Sequence, residues 1–259
     1  MTPSRSLPQL AELFLLLVRR ELKARYKNRY LLGYVWALAT TFALAFVFWI
    51  AFKIVMRFEM ENYSVYLLTG MFPWAWLSGA ITGGARSFLL NAPLVREIEL
   101  PRAVLPLASV AQEMAHFVLA LPALAAWVVL AGGYEASPAW LWQIPFLLAL
   151  QAAFVYPLAL ACALVNAWVR DLEQLLGIGL LLLFFATPMV YPVALVPEPL
   201  RPYFELNPLH ALMQSWRSVL IHGTLEAGDV AYAAGFAAAA AALAWLLYRR
   251  LAPRIGEVA

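Results

Sequence analysis

NAPLVREIELPRAVLP, Asn91 to Pro106, is a charged, proline-punctuated interval between two strongly apolar runs. Its charges alternate with apolar side chains through Leu94, Val95, Arg96, Glu97, Ile98 and Glu99. Pro93 suits the first turn of a helix, where a missing N–H has no partner to lose. Pro101 blocks continuation and biases Leu100 away from helical angles. The pattern predicts a short helix over 93–100. A helix of about two turns is unstable alone in water, so flanking spans or a docked partner must hold it. An ordinary interfacial loop is the alternative on this pattern alone. Both readings set membrane spans on either side, and that decides the fold.

Composition agrees. The chain is 64% hydrophobic and only 13% charged, with mean hydropathy +0.76, whereas a soluble domain is about a quarter charged. The reading is an all-α polytopic membrane protein, a single transmembrane domain over 1–259 with no large soluble part. Six spans are expected, at 31–55, 63–90, 102–130, 138–168, 174–190 and 229–248. Gly70, Pro73, Gly79, Gly83 and Gly84 in the second predict kinks or close helix contacts. The first residues are polar, and no cleavable leader is expected. The single cysteine, Cys162, leaves no intrachain disulfide.

Residues 7–29 precede the first span. Leu10, Leu13, Phe14 and Leu17 form a helical stripe, followed by Arg19, Arg20, Lys23, Arg25, Lys27 and Arg29. An amphipathic basic helix on an anionic membrane surface fits this. Nucleic-acid binding is disfavoured because a span follows at once. Counting Lys and Arg gives the orientation. With the N-terminus inside, only Lys53, Arg57, Arg201 and Arg217 fall outside, against 14 of the 18 inside. Both termini are therefore expected in the cytoplasm, together with Asn91–Pro106.

The interval from Tyr191 to Gly228 is long and proline-rich, and loops of that length are seldom structureless. Asn207 before Pro208 is a good helix N-cap. Two short helices over 195–222 that dip into the outer leaflet and return are expected, with a surface-lying amphipathic helix as the alternative.

Chemical motifs are few. No phosphate-binding glycine loop, H-E-x-x-H, Cys/His ligand spacing or G-x-S-x-G elbow occurs, so the chain has no such route to ATP hydrolysis or catalysis. Glu113 and His116, three apart on one helix face, fall near mid-membrane, where ionisable groups usually face a bundle interior or a wet cavity. They are read as a proton relay or conduit lining, or as an interhelical lock with Gln112, Gln151 or Asn166. Tryptophans such as Trp36, Trp74 and Trp76 sit near span ends, as an interfacial belt would. Phe42, Phe46, Phe184 and Phe185 lie deeper. Aromatic faces can stack on sugar C–H surfaces, although lipid contact and helix packing are commoner.

Four stretches carry a resemblance that covers nearly the whole chain: RRELKARYKNRYLLGYVWAL (19–38), NAPLVREIELPRAVLPLASV (91–110), VRDLEQ (169–174) and TPMVYPVALVPEPLRPYFELNPL (187–209). The sequence resembles the permease subunits of bacterial ATP-binding-cassette polysaccharide exporters, of the O-antigen, capsule and teichoic-acid type. One departure is Thr40-Thr41, where many relatives carry Asn-Pro. The resemblance implies a non-enzymatic transporter subunit in the bacterial inner membrane. It implies a homodimer with two separate ATPase subunits, which bind the ATP and Mg; no cofactor or metal is expected in this chain. The helix near 94–100 would couple to the ATPase. Spans one, two and five would line a channel for undecaprenyl-linked polysaccharide, with Tyr34, Trp36, Phe42, Phe46, Trp74, Trp76, Phe184, Phe185 and Tyr191 as lining candidates. Arg25, Lys27 and Arg29 would lie near the lipid's pyrophosphate. A related exporter of drugs or lipids, and an intramembrane enzyme built on Glu113 and His116, are the rival readings.

Overall fold

A computed structural model describes residues 12, 14–20, 30–93, 101–169 and 171–255, with side chains except at 30–37 and 254. The expected helix over 93–100, with Leu94 to Glu99, lies outside the described residues beyond Pro93, and so do Arg25, Lys27 and Arg29. Among the described residues all regular structure is helical.

Six long helices are described: α1 (Tyr30–Trp49), α2 (Tyr63–Leu90), α3 (Val104–Gly132), α4 (Trp140–Asn166), α5 (Leu172–Ala186) and, after an irregular stretch, α8 (Ala227–Leu251). Two short helices, α6 (Arg201–Glu205) and α7 (Pro208–Arg217), fill the gap before α8. α1 is continuous through Thr40-Thr41 and departs from α geometry only in a π-helical stretch, Ile50–Val55.

α2 is the hub. Val65, Leu67, Leu77, Ala80 and Phe88 have no exposed surface, and α1, α3, α4, α5 and α7 all pack around it. Its glycines set the spacing: a Cβ at Gly84 would fall 2.7 Å from the Ala159 Cβ on α4. α8 uses alanine in the same way, burying Ala233, Ala237 and Ala244, with Phe236 stacked on Phe154 of α4 at 4.9 Å. Small residues let helix backbones approach closely where lipid gives no hydrophobic push.

Among the described residues, four helices are long and apolar enough to cross a membrane: α1 with its π-helical extension, α3, α4 and α8. α2 and α5 fall short for different reasons. α2 is enclosed by protein, so its surface is matched to helices rather than lipid, and it carries Ser64, Thr69, Ser78, Thr82, Arg86 and Ser87. α5 has only 15 residues, about 22 Å of helix against a hydrocarbon core of about 30 Å. The sequence extends this span over 174–190, but helix stops at Ala186. Thr187 precedes Pro188 and is extended, at φ −100° and ψ 131°, the conformation proline imposes on the residue before it.

The bundle has two distinct ends. At the proline-rich end, Asn62 Nδ2 donates to Gly132 O at 2.8 Å, Trp140 Nε1 to Val219 O at 2.7 Å and Gln143 Nε2 to Gly223 O at 2.9 Å. At the basic end, Arg86 pairs with Glu173 and Asn166 Nδ2 donates to Ala85 O at 2.9 Å. There Leu17, from the helical residues 14–20, packs into a core with Phe88, Leu105 and Leu164.

Candidate functional site

α1, α2 and α5 enclose a groove of about 430 Å3. Its walls combine Phe48, Trp74, Phe184 and Phe185 with Thr40, Thr41 and Ser78. The rings form one cluster: Trp74 meets Phe184 edge-on at 5.6 Å, Phe48 lies 5.7 Å from Phe184, and Phe184 is T-shaped to Phe185 at 5.3 Å. Ser78 Oγ donates to Ala75 O at 3.3 Å, which leaves its acceptor capacity unused by that bond. A wall of ring faces and small hydroxyls suits a ligand that is itself both apolar and hydroxylated.

The ends of the groove are built differently. Toward the basic end, Arg86 of α2 and Glu173 of α5 join across it, both side chains nearly half exposed. Toward the proline-rich end, α5 gives way to an irregular turn whose carbonyls are taken up by side chains. Arg217 Nη1 donates to Pro188 O at 2.9 Å and Nη2 to Met189 O at 3.0 Å. Tyr63 OH donates to Val190 O at 2.6 Å, and Tyr66 OH to Tyr191 O at 2.9 Å. Irregular backbone inside a membrane bundle is tolerated only when its polar groups are met this way.

Arg217 is the centre of this clamp. It is 3% exposed, lies 3.9 Å over the Tyr66 ring, and has no carboxylate among its described partners. Carbonyls just past the C-terminus of α5 are an electronegative seat for a cation, and the ring face adds to it. Gly70 makes room, since a Cβ there would come within 2.6 Å of Nη2. The helix that delivers Arg217 begins where Asn207 Oδ1 accepts from Leu209 N at 3.0 Å. α7 is buried along most of its length, Trp216 completely. Trp216 Nε1 donates to Gln151 Oε1 at 2.6 Å, and Gln151 Nε2 to Pro73 O at 2.9 Å, which ties α7 through α4 to α2. Sequence reading counted Arg217 only as an outside charge. The available signal was an arginine ending an otherwise apolar stripe from Leu206 to Trp216.

The other candidates separate. Trp74, Phe184 and Phe185 come together in the groove. Phe42 and Phe46 line a different hollow with Trp49 and Trp127, of about 420 Å3. Trp76 is 2% exposed, stacked on Phe117 at 5.4 Å, with its Nε1 donating to Val110 O at 3.4 Å. Tyr191 belongs to the clamp, its hydroxyl donating to Phe185 O at 2.6 Å. The side chains of Tyr34 and Trp36 lie outside the described residues. Glu113 and His116 face each other, Oε2 to Nδ1, at 3.4 Å. They line a crevice between α1, α2 and α3 on the other side of Thr40 and Thr41 from the groove. Gln151 and Asn166 bond Pro73 and Ala85 rather than this pair.

Comparison with known proteins gives one family. The family model described as "ABC-2 type transporter" matches residues 12–221. An "O-antigen export system permease protein RfbA" from Klebsiella pneumoniae is 32% identical over 255 residues, 98% of this chain and 97% of that protein. A second protein of that name from Klebsiella pneumoniae is 34% identical over 221 residues, 85% of each chain. A third, from Myxococcus xanthus, is 32% identical over 244 residues, 93% of this chain and 92% of its own length.

Proposed function

We propose, for a chain that belongs to the ABC-2 type transporter family, that it is the membrane subunit through which O-antigen or a related surface polysaccharide leaves the cell. The observation that carries this is the groove between α1, α2 and α5. A glycan presents C–H faces and hydroxyls together, and the groove is lined by Phe48, Trp74, Phe184 and Phe185 together with Thr40, Thr41 and Ser78. A purely apolar drug has no use for the hydroxyls.

In this reading all six long helices cross the bacterial inner membrane, with α2 and α5 shielded by their neighbours. Both termini and the basic end face the cytoplasm, as the Lys and Arg distribution favours. The proline-rich end, with α6 and α7, then forms the outer mouth. The groove is half a conduit. Its walls α1 and α5 carry much apolar surface, including Leu44, Val47, Leu175, Ile178 and Leu182. A second copy packed against these helices closes it into a channel. The segment 94–100 docks on one of two partner ATPase subunits, which supply ATP and Mg; the cargo is undecaprenyl-linked. ATP binding draws the ATPases together, and the docked segment passes the movement to α2 and α3.

The test uses cells whose export depends on this chain and its ATPase. Trp74→Ala combined with Phe184→Ala should lower surface polysaccharide about tenfold or more, since each lost stacking contact is worth about 0.5–1.5 kcal/mol. Chain abundance in the membrane is measured alongside, because both rings are buried and their removal also costs packing. Normal surface polysaccharide in that variant would refute the groove as the path.

A further inference from the structure

A further cavity, of about 640 Å3, opens at the basic end between the helical residues 14–20, α2 and α3. Arg20, Arg86, Asn91 and Ser87 line it. Arg20 donates to Asn91 Oδ1, which fixes one guanidinium beside the other arginine's wall. Ser87 is 1% exposed, and its hydroxyl has no hydrogen-bond partner among the described residues. The cavity wall thus joins an unmet buried hydroxyl to two guanidinium groups, donors that carry no acceptor atom of their own. Glu113 stands at the far wall, facing His116, so an anion is confined to the arginine end. Arg86 also reaches the other way, to Glu173 on α5 across the mouth of the aromatic groove. It therefore stands between the cavity and the groove with a carboxylate holding it on the groove side.

We propose that this cavity binds the phosphate-bearing headgroup of a lipid from the adjoining leaflet, and that the phosphate takes Arg86 away from Glu173. The proposal rests on the basic end facing the cytoplasmic leaflet. A planar guanidinium pairs bidentately with phosphate oxygens, and an exposed carboxylate pair is weak enough to exchange. Losing Arg86 frees Glu173 and opens the inner mouth between α2 and α5, so arrival of the headgroup and admission of its cargo are one event. Two lipids share this chemistry, a bulk anionic phospholipid and a polyprenyl diphosphate.

The full-length chain is reconstituted in phosphatidylcholine nanodiscs, and binding of undecaprenyl diphosphate and of phosphatidylglycerol is titrated separately. Arg86→Gln should weaken binding by about tenfold or more, and Ser87→Ala by about threefold, as expected for lost hydrogen bonds to a charged group. Glu173→Gln, which removes the competitor, should tighten it; a gain cannot come from misfolding. Arg249→Gln, on α8 away from the cavity, should change nothing. Arg86→Lys keeps the charge but not the fork, and should retain part of the binding. Weakening confined to one lipid supports the site and identifies its source. Unchanged binding in Arg86→Gln, or weaker binding in Glu173→Gln, overturns the proposal. Normal surface polysaccharide in the Trp74→Ala, Phe184→Ala cells, with these binding results intact, would refute the transport reading and leave the site standing.

Discussion

Arg217 shows how a single side chain can hold a membrane protein's irregular backbone in place. Its guanidinium stands in for helical donors that these carbonyls lack, since the N–H four residues beyond Pro188 would belong to Pro192, and it bonds Pro188 O and Met189 O while the Tyr66 ring covers its face. Arg217→Gln should therefore leave a buried carbonyl unsatisfied and destabilise the chain by about 2–4 kcal/mol, read as a lower thermal midpoint in detergent. Gly70→Ala pushes on the same guanidinium from α2 and should produce a smaller loss in the same assay. If Arg217→Gln melts with the wild type, the clamp is not holding the proline-rich end. None of this was legible in the sequence, because the partners are backbone carbonyls whose exposure depends on where α5 stops.

Element by element, the periodic signals read well and the interrupted ones did not. The apolar runs placed the long helices, and Asn207-Pro208 marked the start of α7 because capping is local chemistry. The end of α5 was set four residues too late, because Pro188 acts on the residue before it while the apolar composition runs on. α7 also carries His210, whose Nδ1 is buried without a partner among the described residues. Burial, reinforced by the Arg217 charge, pushes its pKa down to about 4. The folded chain holds this ring neutral, so its contribution is complete above about pH 6.5 and fades as pH falls toward 4. Stability should fall across that window by on the order of 1–2 kcal/mol, below the full shift because the ring is only half-buried. His210→Phe should flatten the profile; an equally steep one would place the titration elsewhere. The segment 94–100 is tested by function. Glu97→Lys or Leu94→Asp should uncouple ATP hydrolysis from export, leaving hydrolysis and membrane insertion in place, and normal export in both would remove the coupling role.

For the whole molecule, composition and apolar periodicity were enough for an all-helical membrane protein, and motif order was enough for its family. What the sequence could not separate was which aromatic residues share a surface. Trp74 and Trp76 are two residues apart, yet one faces the groove with Phe184 while the other is stacked on Phe117 in the core. Phe42 and Phe46 share a helix with Phe48 but face a different hollow. Facing is settled by the partners around α2, which no local pattern contains. The same geometry makes the central claim measurable. A photoreactive amino acid in place of Ser78, on the groove wall, and in a second strain in place of Phe46, outside it, is irradiated in cells that are exporting polysaccharide. The account predicts glycan cross-linked to the chain from position 78 and none from position 46. Cross-linking from position 46 with none from position 78 would contradict it.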